Sequence, residues 1–159
     1  MNNETILLTM ALMFIGGSTG GTAGGIKTTT FLLLILVVWS VITRKEDINI
    51  LQRRIPNDLV FRSLAISMIA VVLIFSAVFL LQISEKDVPL MNLAFEAVSA
   101  FGTVGLSLGA TPELSSFGKI IIIILMFVGR LGPLTIAFAL TKKQTQAKIR
   151  YPEEKILIG

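Results

Sequence analysis

Residues 90–109 read Leu90-Met-Asn-Leu-Ala-Phe95-Glu-Ala-Val-Ser-Ala100-Phe-Gly-Thr-Val-Gly105-Leu-Ser-Leu-Gly109, an apolar helical stretch that gives way to glycines and small residues. Asp87 and Pro89 mark its start, because proline is pre-set for a first helical turn and has no amide there to leave unpaired. The twelve residues from Leu90 to Phe101 rise about 18 Å. That is enough to enter a hydrocarbon layer of about 30 Å and too little to cross it. Gly102 to Gly109 must then climb back out, which makes the stretch a re-entrant loop. Irregular backbone at membrane depth is tolerated only where it is buried in protein or lines a watery path, so the glycine run is expected to face a cavity.

The rest of the chain makes a bilayer the expected solvent. Of 159 residues, 53% are hydrophobic and 15% charged, against about 25% charged in a soluble domain, and the mean hydropathy is +0.83. The chain has no Cys and no His. That removes disulfides, thiolate and imidazole metal sites, and Cys or His nucleophile-base pairs. With no acidic pair inside the apolar blocks either, an enzyme is not expected.

Leu64 to Ile83 gives 20 uncharged residues, one crossing; Ile120 to Leu140 gives 21, interrupted only by Arg130. Thr5 to Ile42 holds a single charge, Lys27, over 38 residues; as a straight helix it would measure about 57 Å, nearly twice the bilayer core, so it must break. The break is Gly16-Gly17-Ser18-Thr19-Gly20-Gly21-Thr22-Ala23-Gly24-Gly25, with half-helices expected over Ile6–Ile15 and Thr28–Ile42. The start lacks the basic region of a signal peptide, and Met1 is expected to be an internal methionine of a longer sequence.

The net charge of +4 is a topology signal. Arg44, Lys45, Arg53, Arg54 and Arg62 fall in the first connection, and Lys142, Lys143, Lys148, Arg150 and Lys155 in the tail. Only Lys86 and Lys119 lie in Ser84–Lys119. By the positive-inside rule the first connection and the C-terminus are cytoplasmic, and no nucleic-acid partner is expected.

The chemistry of the re-entrant stretch follows from its residue types. Thr103-Val104-Gly105 begins the potassium-channel signature, in which backbone carbonyls replace the hydration shell of a cation, and glycine permits the required backbone angles. The half-helix before it would aim its partially negative C-terminal end at the same cavity.

The order crossing, half-helix, Phe95 to Ser107, then a crossing containing Gly129-Arg-Leu-Gly-Pro-Leu-Thr135, resembles the last repeat of the Trk/Ktr/HKT potassium-uptake membrane subunits. Gly16 to Lys27 resembles the broken second helix of the repeat before it, and the bacterial Ktr-type subunit is the nearest match. The resemblance implies an all-α membrane fold of helix, pore-loop, helix repeats, four around one pore, of which this chain holds one broken helix plus one complete repeat. Residues 1–42 would be the broken helix of repeat three, 43–62 a cytoplasmic linker, 63–141 repeat four and 142–159 a cytoplasmic tail. It implies potassium uptake across the bacterial plasma membrane by a multi-pass subunit that lacks its missing repeats here. It further implies a homodimer, a cytosolic nucleotide-binding regulatory ring, no covalently bound cofactor, and sodium as a possible activator. The filter would be Gly102, Thr103, Val104, Gly105 and Leu106, with potassium on the carbonyls of Thr103, Val104 and Gly105. Leu106 and Ser107 replace the Tyr and second Gly of the channel signature, which favours this family over a tetrameric channel.

Four features keep more than one reading. Gly16–Gly25 is either a gating loop beneath the filter, as the resemblance implies, or a small-residue packing surface; a phosphate loop is excluded because Ile26 stands where the second Gly is required. Lys27 either anchors that loop or snorkels. Arg130 either faces the pore as part of the gate or binds carbonyls freed near Gly129, Gly132 and Pro133. Glu96, inside the half-helix, is expected to bond backbone or a neighbouring repeat and so hold the filter, with direct ion ligation as its other role. Two further classes remain for the whole chain: a non-conducting membrane fragment or anchor, and an anion transporter built on the broken helix.

Overall fold

A computed structural model describes residues 2–18, 20–43, 49–50 and 53–132. Their order is α1 (Asn3–Ile15), α2 (Thr28–Ile42), β1 (Asn49–Ile50), β2 (Arg53–Arg54), α3 (Asn57–Ser84), α4 (Leu90–Gly102), a 3-10 turn (Thr111–Glu113) and α5 (Ser116–Leu131). The two strands form a two-residue antiparallel pair, Asn49 opposite Arg54 and Ile50 opposite Arg53, inside the segment expected to be a plain linker. Everything else regular is helical. Thr19, Arg44, Lys45, the end of the second expected crossing from Pro133 to Leu140, and the basic tail lie outside the described residues.

The glycine break and the half-helix fall where expected, but two other boundaries move. Helix α3 begins at Asn57, seven residues before the uncharged stretch, and so takes in residues assigned to the linker. Charges do not stop a helix: Asp58 lies in the first turn, where the helix dipole favours an acid, and Arg62 pairs with it at 3.0 Å one turn on. At the other end, α5 starts at Ser116 and stops at Leu131, because Gly132 caps it with φ 86°. The described helix therefore covers only part of the crossing expected over 120–140.

Among the described residues only α3 is long and apolar enough to cross a membrane, with a mean hydropathy of 2.9 over its most apolar window. It is apolar all round, and large side chains such as Phe61, Phe75 and Phe79 are exposed, as expected of a surface that meets lipid or further protein. Two of its hydroxyls are satisfied within the helix: Ser63 donates to the Leu59 carbonyl at 2.8 Å and Ser67 to the Ser63 carbonyl at 2.9 Å.

Helix α4 is the centre of the packing. It touches α1, α3 and α5, and nine of its thirteen residues are buried, so this short helix is the core that the others surround. Small residues permit the approach: Ala70 and Ala77 of α3 share one buried cluster with Ala97 and Ala100 of α4. Phe14 of α1 stacks on Phe101 at 6.3 Å between ring centres.

Where α3 ends, Glu85 is buried and ties α3 to α5. Its Oε1 accepts the Ser115 hydroxyl, the Ser84 hydroxyl at 2.9 Å and the Ser115 amide at 3.1 Å. Ser115 is also the N-cap of α5, accepting from the Gly118 amide at 3.1 Å. A Cβ on Gly118 would lie 2.5 Å from Glu85 Oε1, so a side chain there would push the carboxylate out of this position. These bonds, the Ser115 hydroxyl foremost, hold the Glu85 carboxyl below its usual value of 4.5 against the opposing effect of burial. A depressed carboxylate stabilises the fold while ionised, so its contribution is full above pH 4.5 and is lost as pH falls below it. Thermal unfolding followed from pH 7 to pH 3 is expected to show a falling midpoint in the acid range, and Glu85→Gln to start lower at pH 7 and fall less steeply.

Candidate functional site

The site is built on the C-terminal end of α4. The last carbonyls of a helix have no partner within it, and in a membrane they must find donors elsewhere. Two are met locally. The Thr103 amide donates to the Ala100 carbonyl at 3.1 Å and the Val104 amide to the Ser99 carbonyl at 3.0 Å, the bond pair of a Schellman cap. The residue that makes this turn is left-handed and is usually glycine. Here it is Thr103, at φ 53° and ψ 37°, the one non-glycine residue with positive φ among those described. A β-branched residue there carries strain of roughly 1–2 kcal/mol, so its side chain is expected to be held by something specific.

The glycine stretch supplies that partner. The Gly24 amide donates to Thr103 Oγ1 at 2.8 Å, and the Gly25 amide to the Phe101 carbonyl at 3.1 Å. Both are close approaches of bare backbone. A Cβ on Gly24 would stand 2.8 Å from the Phe101 oxygen, and one on Gly102 2.7 Å from the Met13 oxygen. From the other side α5 presses Gly129 onto the same carbonyl so closely that any side chain there would overlap it. The end of α4 is thus enclosed by α1, the glycine stretch and α5.

The stretch itself is a compact loop with its ends together. The Ile26 amide donates to the Phe14 carbonyl at 3.2 Å and the Thr28 amide to the Gly17 carbonyl at 3.1 Å. Lys27 Nζ donates to the carbonyls of Ala23 at 2.5 Å and Gly21 at 3.4 Å, so this lysine anchors the loop's return limb. Gly16 and Gly17 face that limb, a Cβ on Gly17 meeting the Ala23 methyl at 2.6 Å. At the tip, the Gly21 amide closes a turn on Ser18, and Gly20 at φ 89° has open space around it. Thr22 is exposed.

Beyond Thr103 the chain is open. Val104 and Leu106 are 44% and 49% exposed, and Gly105 takes φ 79° with nothing within 4 Å of where a Cβ would be. The far end returns to α4: Glu96 Oε1 accepts the Ser107 hydroxyl, and Ser107 Oγ accepts the Gly109 amide at 2.9 Å. Glu96 is thus bonded by a side chain of its own loop, which was not among the partners expected for it. Arg130 is exposed on the last turn of α5, one residue past the Gly129 contact. Of the residues singled out in the sequence, Gly24, Gly25, Gly102 and Thr103 come together, Lys27 braces the loop, and Arg130 borders it. Met13, Phe101, Gly129 and Ser107 were not foreseen. Gly129 carried a signal, as a glycine amid the bulky residues of α5.

The family model of the TrkH cation transport proteins matches residues 1–151. The chain belongs to the TrkH family. Over its whole length it is 42% identical to Ktr system potassium uptake protein B of Bacillus subtilis and 40% identical to the potassium/sodium uptake protein NtpJ of Enterococcus hirae. It is 38% identical over 97% of its length to Ktr system potassium uptake protein B of Vibrio alginolyticus. It spans 35%, 36% and 33% of those proteins respectively, about a third of each. The relatives of this TrkH-family chain are named for potassium or potassium/sodium uptake.

If the Gly24 amide and Thr103 hydroxyl hold the loop to α4, a side chain at position 24 must part them. Gly24→Ala is expected to lower the melting temperature of the protein in detergent by several degrees, whereas Gly21→Ala, whose Cβ would meet only the Ser18 carbonyl at 3.2 Å, alters it less. Circular dichroism on heating distinguishes the two.

Proposed function

We propose that this chain takes part in potassium uptake across the bacterial plasma membrane, as part of the ion-translocating subunit. The single observation that carries the reading is the exposed stretch Val104–Leu106 that follows Thr103 from the capped, carbonyl-bearing end of α4. Carbonyls of Thr103, Val104 and Gly105, flanked by Gly102 and Leu106, would replace water around a potassium ion, and the negative end of α4 would favour its charge. Membership of the TrkH family, and relatives named for potassium uptake, support it.

In this reading α3, α4 with its return segment, and α5 form one helix, pore-loop, helix repeat, and α1, the glycine loop and α2 form the broken helix of the preceding one. The whole pore needs further repeats, making the subunit multi-pass, with its basic connections on the cytoplasmic side. Gly16–Gly25 with Lys27 and Arg130 forms the gate: the loop docks on the end of α4 and must leave it for an ion to pass. A homodimer, a cytosolic nucleotide-binding ring and activation by sodium belong to the same proposal. An anion transporter would need free helix N-terminal amides, but the first amide of α2 is taken by Gly17.

The full gene product containing this chain, expressed in a potassium-uptake-deficient bacterium, is expected to restore growth at low potassium and to carry potassium in proteoliposomes in preference to chloride or phosphate. Gly105→Ser, placed at φ 79°, is expected to cut potassium uptake roughly tenfold, the equivalent of the left-handed strain. Uptake unchanged by that substitution would contradict the filter assignment.

A further inference from the structure

We propose that Glu96 determines the ion selectivity of the Thr103–Leu106 segment by fixing the position of its far end through Ser107, an inference that rests on the reading of this segment as the filter. Glu96 is 6% exposed, and its carboxylate faces the return segment. Its partner Ser107 is exposed, accepts the Gly109 amide and lies 3.2 Å from the Thr111 hydroxyl, so one side chain gathers the whole exit from the segment.

The geometry leaves the segment little slack. Glu96 and Thr103 are seven residues apart on α4, about 10.5 Å along the axis. The four Cα-to-Cα steps from Thr103 to Ser107 reach at most about 14 Å when fully extended. The segment therefore runs back along α4 between two anchors, the Schellman cap at one end and Glu96 at the other.

Packing does not hold it in between. Among the described residues no main-chain bond of Gly105 or Leu106 is present, and behind the segment lies a cavity of about 150 Å³ lined by Glu96, Ser99, Ala100, Gly105, Ser107 and Thr111, among others. With the far anchor released, the segment has room to shift into that cavity. Discrimination between potassium and sodium depends on the number and placement of coordinating carbonyls, so the anchor sets a quantity that selectivity reads. Glu96 is a positioning residue: it acts through Ser107 and touches no ion.

The test compares variants of the full gene product in proteoliposomes, at equal amounts of inserted protein, reading the ratio of rubidium to sodium uptake. Glu96→Gln keeps the side-chain length and an acceptor oxygen, and is expected to hold the ratio within about twofold. Glu96→Asp keeps the charge but withdraws the carboxyl by about 1.5 Å, and Ser107→Ala removes the donor. Each is expected to lower the ratio roughly five- to tenfold while total uptake persists, and Ser107→Thr to restore it. Should Glu96→Asp fail to insert, the exposed Ser107 pair decides alone. A ratio lost in Glu96→Gln but kept in Glu96→Asp would overturn positioning in favour of charge. A ratio kept in Ser107→Ala but lost in Gly105→Ser would overturn the anchor and leave the filter standing; a ratio kept in both would overturn the filter as well.

Discussion

The last carbonyls of a helix have no partner within it, and the contacts around the end of α4 can be read as an answer to that constraint. Ser99 and Ala100 are capped by the amides of Val104 and Thr103, and Phe101 by the Gly25 amide from a different part of the chain. The donors must come as bare backbone, because the space around the Phe101 oxygen admits no side chain from Gly24 or Gly129. Three glycines brought to one carbonyl decide where α1, the loop and α5 can lie.

The same constraint places opposing demands on the site. The end of α4 is electrostatically suited to a cation, yet here loop amides occupy it. Docking the glycine stretch satisfies the helix, and undocking it would leave the carbonyls to an ion or to water. Thr103 stands between the two, its backbone leading into the proposed filter and its hydroxyl on the loop, in a conformation a β-branched residue adopts only under restraint.

Length against bilayer thickness made the half-helix and the broken helix legible from sequence alone, since neither twelve residues nor 38 can make one straight crossing. Uncharged stretches were a poorer guide to helix ends. Helix α3 starts seven residues earlier, with the Asp58–Arg62 pair along its first turns, and Gly132 caps α5 with a positive φ. Least legible were the contacts that assemble the site. Gly24 and Thr103 are 79 residues apart, and the motif that suggested a gate said nothing of which amide would meet which oxygen. The partner of Glu96 was missed for a related reason: Ser107 stood out as a departure from the channel signature, and its use as an anchor emerges only when the segment folds back along α4.

The docking of the glycine loop on α4 is the claim on which the proposed gate and filter and their coupling all depend. Amide hydrogen exchange of the full gene product in lipid nanodiscs measures it most directly. The amides of Gly24, Gly25 and Ile26, bonded to Thr103, Phe101 and Phe14, are expected to exchange slowly, as helix amides do, while the amides of Gly20 and Thr22 at the open tip exchange quickly. Uniformly fast exchange across residues 20–26 would contradict the docked loop.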